Sequence, residues 1–327
     1  MTTGLLGSDS ILFLCTVFGV THSSRTAMIS KISRLSKMTR ADIFHEETLV
    51  FKLEDLINSS STKKADYCQV LCIYKRSTLA DQVECLMKQT ALPSKILIYH
   101  NSNHVKNKSY FSSQRWESAT IQYTHNENWN AKYHGRFYAC LPVKSPWYIV
   151  WDDDLIPGKD WNRSCLDKAK RLSAIVTANG RILNPDWLNN FSVDLHEYGI
   201  GSFDPISQDT VVDYGGHAWT FARKNLIDMA SIEPPSLTNS EDFHLSAASY
   251  IKSNTQTIVH SPLGTDDVPD LLNGQWASDQ HASWITRADS YQAERRMIIR
   301  EWLQSYGYTP LAYRQASSQI GSIPLLQ

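Results

Sequence analysis

Residues 66–102, DYCQVLCIYKRSTLADQVECLMKQTALPSKILIYHNS, decide the fold. Gln69-Val-Leu-Cys-Ile-Tyr74 is a compact apolar run of strand length. The segment after it carries Leu79, Val83, Leu86 and Met87 at helical spacing, with Ser77 placed to cap its start and an end near Gln89. Pro93 closes a turn, and Lys95-Ile-Leu-Ile-Tyr-His100 is a second strand. A strand, a helix and a strand within about 35 residues form a βαβ unit, whose two strands run parallel. Ligands of such sheets bind beyond the carboxyl ends of the strands. Here those ends are Tyr74-Lys-Arg76 and His100-Asn-Ser102.

Outward from this unit, Thr120-Ile-Gln-Tyr-Thr124 reads as a third strand, followed by a helix from about Trp129 to Leu141. Trp147-Tyr-Ile-Val-Trp151 is a strongly β-prone run that leads straight into Asp152-Asp153-Asp154. Further strands are expected at 173–178 and 255–259, and helices at 241–252 and 291–306. The result is one main α/β domain over residues 65–310. Residues 1–64 form an N-terminal extension, basic and Ser/Thr-rich over Arg25 to Arg40, that ends in the polar linker Asn58-Ser-Ser-Ser-Thr-Lys-Lys64. Residues 311–327 form a C-terminal tail.

The chain has 327 residues, 42% of them hydrophobic, which is enough for a substantial core. Lys+Arg number 32 against 33 Asp+Glu, so the basic excess of a nucleic-acid surface is missing. Ten Trp and fifteen Tyr can serve a core, or can stack on the C–H faces of sugars. The six cysteines, at 15, 68, 72, 85, 140 and 165, lack zinc spacing and are too few for a disulfide scaffold, so they read as packed thiols. The apolar run Ile11 to Val20 is half the length of a membrane span and has no Lys or Arg before it. These features favour a soluble chain without an integral span, in the cytoplasm rather than a secretory lumen. In a lumen, the sequons at Asn58, Asn107, Asn162 and Asn190 would matter.

Three consecutive carboxylates at the end of a buried strand repel one another unless a cation neutralises them. Alternate strand residues share a face, so Asp152 and Asp154 point one way and Asp153 the other. Two carboxylates with open coordination positions suit Mg²⁺ or Mn²⁺. His260, at another strand end, is a candidate third ligand. Glu241-Asp242 opens a helix after Ser240, where acids complement the helix dipole; one of them can instead face a sugar as a base or charge stabiliser.

Together these motifs resemble a GT-A nucleotide-sugar glycosyltransferase of the family 2 type and, more specifically, the exostosin type (family 64). The resemblance rests on Val70-Leu-Cys-Ile-Tyr-Lys-Arg76, Leu86-Met-Lys-Gln-Thr-Ala-Leu-Pro93, Lys95-Ile-Leu-Ile-Tyr-His-Asn-Ser102, Asn130-Ala-Lys-Tyr-His-Gly-Arg-Phe137, the Asp triplet and Ser240-Glu-Asp-Phe-His-Leu245. It implies a Rossmann-like mixed sheet flanked by helices. It also implies Mn²⁺ or Mg²⁺, a nucleoside-diphosphate sugar (UDP-linked by preference) as co-substrate, and a hydroxyl of a glycan or glycoconjugate as acceptor.

Carried over by residue, Asp152 and Asp154 match the metal-holding carboxylates and Asp153 contacts the donor's ribose or sugar. Tyr74, Arg76 and Asn101 lie near the base, and Asn130 and Arg136 reach the donor. Asp242, with Glu241, is the catalytic-side acid. The acceptor loop is Gly215-Gly216-His217-Ala218-Trp219, with Gly216 and His217 lining it and Trp219 stacking on the sugar. The sequence departs from the family at Lys75, His100 and Gly135. A sugar nucleotidyltransferase, a metal-dependent hydrolase and a non-catalytic sugar-binding relative are the rival readings. The first should show a glycine in the loop after strand one, and Tyr74-Lys-Arg-Ser77 has none.

Overall fold

The computed structural model describes residues 64–76, 78–101, 121–126, 130–190, 197–201, 206–268, 286 and 288–314. The extension before Lys64, with Cys15 and the apolar run Ile11 to Val20, lies outside the described residues. So do the sequons at Asn58 and Asn107 and the chain after Arg314.

The opening unit forms as read: β1 (Ala65–Ile73), α1 (Leu79–Met87) and β2 (Pro93–Asn101). Thr78 stands at the N-cap of α1, and Met87 turns outward while Leu79, Val83 and Leu86 are buried. Next come β3 (Ile121–Asn126), the single helical turn α2 (Gly135–Tyr138) and β4 (Trp147–Trp151). The long helix expected from about Trp129 is therefore four residues in the described chain. After α3 (Trp161–Leu172) come β5 (Ile175–Leu183), α4 (Pro185–Asn189), β6 (Glu197–Ile200), β7 (Thr210–Val212) and β8 (Tyr214–Ala222). Then follow α5 (Arg223–Ala230), α6 (Glu241–Ser253), β9 (Thr257–Val259), α7 (Ala288–Gln304) and α8 (Leu311–Arg314).

The strands make one mixed sheet in the order β3-β2-β1-β4-β8-β5-β9-β7, with β6 paired to β5. Strands β1 to β4 run parallel, β8 is antiparallel to β4 and β5, and β9 is parallel to β5. This is the expected α/β class: a Rossmann-type mixed sheet flanked by helices, consistent with a GT-A-like fold.

Side-chain alternation along β1 sends Leu71 and Ile73 to a core shared with α1 and α3, and Val70 and Cys72 to a second core containing Phe137, Leu226 and Leu245. A third cluster, built on Trp187, Phe243, Trp302 and Tyr308, brings in α7 and the end of the described chain. Trp151, Trp161, Trp187, Trp219 and Trp302 are all fully buried, so these indoles serve packing. The five described cysteines are buried and free. Asn162 is buried, donating to Tyr67 Oη at 2.9 Å and Gln69 Oε1 at 3.0 Å, so its sequon is closed in the folded chain.

The expected boundary after residue 310 meets a latch. The carboxylate of Asp213 accepts from Tyr308 Oη, Leu311 N and Leu183 N, which ties α8 to the sheet. Among the described residues, no helix is long and apolar enough to cross a membrane.

Candidate functional site

Strands β1, β2 and β3 step across the sheet in one direction, and β4 lies on the other side of β1. The order thus reverses between β1 and β4, and crevices for ligands open at the carboxyl ends of such a pair. Those ends carry Tyr74–Arg76 and Asp152–Asp154.

The three aspartates follow β4 in a turn, so contacts rather than strand alternation set where each one points. Asp153 accepts from Arg76 Nη1 at 2.7 Å and from the backbone N–H of Lys75 at 3.4 Å. Asp152 and Asp154 group with His217, and one potential ligand atom from each lies within 4.8 Å of the others. Two carboxylates at that separation repel by roughly 3–4 kcal/mol at an effective dielectric constant of about 20. Arg136 Nη1 lies 3.2 Å from Asp152 Oδ1, and Arg76 Nη2 lies 3.5 Å from Asp154 Oδ2. Asp154 Oδ1 is buried and makes no hydrogen bond; His217 Nδ1 is 3.9 Å away. A buried, unsatisfied carboxylate oxygen beside an imidazole and a second carboxylate fits an oxygen- and nitrogen-liganded divalent cation.

His217 reaches the site through a distortion of its strand. Between Thr177↔Trp219 and Asn179↔Gly216 the β5–β8 register gains a residue on β8, which is a bulge. His217 sits there at φ 63°, in the left-handed region, with its carbonyl accepting from Asp152 N at 3.0 Å. That conformation costs a non-glycine residue about 1–3 kcal/mol, and such strain clusters at ligand sites. Replacing His217 with glycine is therefore expected to leave folding stability unchanged or raised, while weakening Mn²⁺ binding about 10- to 100-fold. Thermal melts and a Mn²⁺ titration of the variant measure both. A lower melting temperature with unaltered Mn²⁺ affinity would contradict this assignment.

Charge is out of balance here. Arg136 Nη2 also binds Glu241 Oε1, at 2.6 Å, so the guanidiniums of Arg76 and Arg136 face four carboxylates: Asp152, Asp153, Asp154 and Glu241. With all four ionised, two negative charges remain, the amount a divalent cation supplies. Burial pushes Asp152 up to about 6, with Arg136 opposing and Asp154 adding. Burial pushes Glu241 up to about 7, opposed by Arg136 and reinforced by Asp242. Asp154 is held below the ordinary aspartate value; burial alone would raise it, but the approach of His217 and the charge of Arg76 outweigh burial.

Raised folded-state values favour the protonated forms, so their stabilising effect is complete below about pH 4 and is lost as pH rises through about 6 and then about 7. In EDTA, the melting temperature is expected to fall between about pH 5 and pH 7.5 more steeply for the wild type than for the Asp152→Asn/Glu241→Gln double variant. Parallel profiles would exclude these two groups as the cause.

A polar network adjoins the acidic cluster. Asn130 donates to Tyr74 Oη at 3.0 Å and accepts from Asn101 Nδ2 at 3.0 Å, and Asn101 Oδ1 accepts from Ala131 N at 3.0 Å. The structure thus joins Tyr74, Asn101 and Asn130, which belong to three separate segments. Gly135 lets the chain pass: a Cβ there would lie 1.9 Å from Tyr99 Oη, a hydroxyl already bonded to Asn126.

No family model and no curated protein matches the chain. Among solved structures, "Crystal structure of S. aureus TarS" is similar with a TM-score of 0.39 and 12% identity, over 60% of this chain and 35% of that one. The match thus spans about a third of the length of that protein. What the site can do follows from its own residues.

The second acidic pair divides like the first. Glu241 turns to Arg136, whereas Asp242 is held by Arg295 Nη2 at 2.9 and 3.2 Å. Arg295 comes from α7 and is buried over the ring of Tyr214, its Cζ 4.6 Å from the centroid. Nothing in the sequence around Arg295 singles it out.

Two expected participants lie elsewhere. His260 does end β9 at the same edge of the sheet, but β9 is three strand spacings from β4, roughly 14 Å. Its Nε2 is 2.9 Å from Asp267 Oδ2 and its Nδ1 2.6 Å from Lys168 Nζ, so both ring nitrogens are engaged away from the aspartates. Trp219 is 1% exposed and therefore closed to an acceptor sugar. It packs edge-on against Phe137 and supports Arg136, whose Cζ is 4.8 Å from its ring. The segment 215–219, expected as a loop, is strand β8. Its glycines serve packing: a Cβ on Gly215 would lie 2.2 Å from Thr177 Cγ2, and one on Gly216 2.6 Å from Asn179 Oδ1.

Proposed function

We propose that the chain is a glycosyltransferase that uses Mn²⁺ or Mg²⁺ to move a sugar from a nucleoside-diphosphate donor to a hydroxyl of a glycan or glycoconjugate acceptor. The observation that carries this reading is the pairing of Asp152, Asp154 and His217, with an unsatisfied Asp154 oxygen, at the reversal point of the sheet. Asp152, Asp154 and His217 would hold the cation. When bound, it supplies positive charge for the departing nucleoside diphosphate.

The remaining residues take roles that their positions allow. Asp153, fixed by Arg76, faces the ribose or sugar of the donor. Tyr74, Asn101 and Asn130 bind the base, and UDP is the preferred nucleotide. The guanidinium of Arg136 is planar, multiply donating and suited to a phosphate oxygen that displaces Asp152 or Glu241.

Of the two acids, Asp242 is the more accessible, with its side chain 16% exposed against 7% for Glu241. Asp242 therefore takes the acceptor hydroxyl, oriented by Arg295, and Glu241 sets the position of Arg136. Gly216 and His217 border the acceptor side.

The test is release of nucleoside diphosphate from UDP- and GDP-sugars with and without Mn²⁺. Release that requires Mn²⁺ and stops on adding EDTA is expected. Release of equal rate in EDTA would refute the proposal.

A further inference from the structure

Along α1 and its two ends lie Thr78, at the N-cap, Gln82 and Cys85, within the helix, and Gln89, two residues beyond its last turn. Each of them donates to a backbone carbonyl of the loop that bears the aspartates. Thr78 Oγ1 bonds Asp153 O. Gln82 Nε2 bonds Asp152 O at 2.6 Å and Leu155 O at 3.2 Å. Cys85 Sγ bonds Pro157 O, and Gln89 Nε2 bonds Gly158 O at 2.8 Å. Side chains of α1 and its two ends therefore do for this loop what a neighbouring strand does in a sheet.

Gln82 is fully buried, and both of its amide hydrogens are used on the two carbonyls that bracket Asp153 and Asp154. The chord it draws across the turn fixes the direction in which the Asp152 and Asp154 carboxylates leave the backbone. On the other side, Asp152 N is fixed to His217 O. With both sides of the turn anchored, the donor atoms are set before any ligand arrives, and preorganisation of that kind raises affinity by removing an ordering cost.

From this geometry we infer that Gln82 is a positioning residue for the cation site, acting through the backbone of the acidic turn; the inference rests on the metal reading given above. Gln89 makes the same kind of bond at the far end of the loop and supplies an internal control.

The experiment is a Mn²⁺ titration of the full chain by electron paramagnetic resonance, with thermal melts alongside. Gln82→Met keeps length and bulk and removes both donors. It is expected to weaken Mn²⁺ binding about 10- to 100-fold, whereas Gln89→Met, with a comparable loss of melting temperature, stays within about twofold of wild type. Equal weakening in the two variants, or none in Gln82→Met, overturns the positioning role. If Gln82→Met does not fold, Thr78→Val, which removes one hydroxyl at constant shape, carries the test: a smaller loss of affinity supports the role and an unchanged affinity overturns it. Failure of the wild-type chain to take up Mn²⁺ would overturn the metal reading and this inference together. Uptake by wild type that Gln82→Met leaves intact would overturn this inference alone.

Discussion

Replacing Asp154 with alanine is expected to reduce Mn²⁺-dependent release of nucleoside diphosphate by roughly 10³-fold or more while the protein stays folded with only a modest loss of stability. The two halves of that expectation come from the same atoms. Asp154 Oδ1 makes no hydrogen bond inside the protein, so its removal deletes a ligand without orphaning a donor on that side. On its other oxygen, Arg76 is 3.5 Å from Asp154 but 2.7 Å from Asp153, so the guanidinium keeps its stronger partner. Removing one of four clustered carboxylates also relieves repulsion, which partly offsets the loss of the His217 and Arg76 interactions that hold Asp154 below the ordinary aspartate value. Loss of a charge-stabilising element at a leaving group costs about 10²–10³-fold in rate for a single neutral donor, and a cation ligand should cost more. Thermal melts and steady-state assays on the same preparation check both parts. An inactive variant that is also unfolded would show only that Asp154 matters to folding.

Arg136→Ala is expected to be the most destabilising single change at the site, by about 3–5 kcal/mol, because it strands the buried Glu241 and the half-buried Asp152 carboxylates at once. Arg136 touches Asp152 with one terminal nitrogen, at 3.2 Å, and Glu241 with the other, at 2.6 Å, and its plane lies over Trp219. Alanine would also open space beside Phe137 and Trp219, both fully buried. Lysine keeps the charge but presents a single ammonium, which cannot reproduce a fork fixed to two acids on different elements. Arg136→Lys should therefore recover about half of the lost stability and remain at least about 100-fold less active than wild type. Urea denaturation of both variants reads the first effect. An Arg136→Ala midpoint that corresponds to less than about 1 kcal/mol of destabilisation would mean that these carboxylates are compensated by something else.

The opening βαβ unit and the strand leading to Asp154 were legible because apolar runs of strand length, separated by a short amphipathic helix, admit few other arrangements. Legibility ended where distant segments meet. His217 lies in a Gly-Gly segment that reads as a loop, since glycine is depleted in strands. The glycines are there because Thr177 and Asn179 of β5 occupy the space above them. The β-prone run Trp219-Thr220-Phe221 is the one local signal that could have revealed a strand. His260 stands at the correct edge of the sheet, yet strand order, which the sequence does not display, puts it three strands away. Arg295 reaches Asp242 from a helix 53 positions later in the chain, and no local pattern marks that contact. Nothing in the sequence marks Gln82, because its partners are backbone carbonyls, which leave no trace in side-chain identity.

An anomalous-difference map from a crystal soaked in Mn²⁺ tests the central claim most directly. The account predicts a peak about 2.0–2.3 Å from carboxylate oxygens of Asp152 and Asp154 and from a ring nitrogen of His217. A peak elsewhere, or none at these three residues with Arg136 still clasping Asp152 at saturating Mn²⁺, would contradict it.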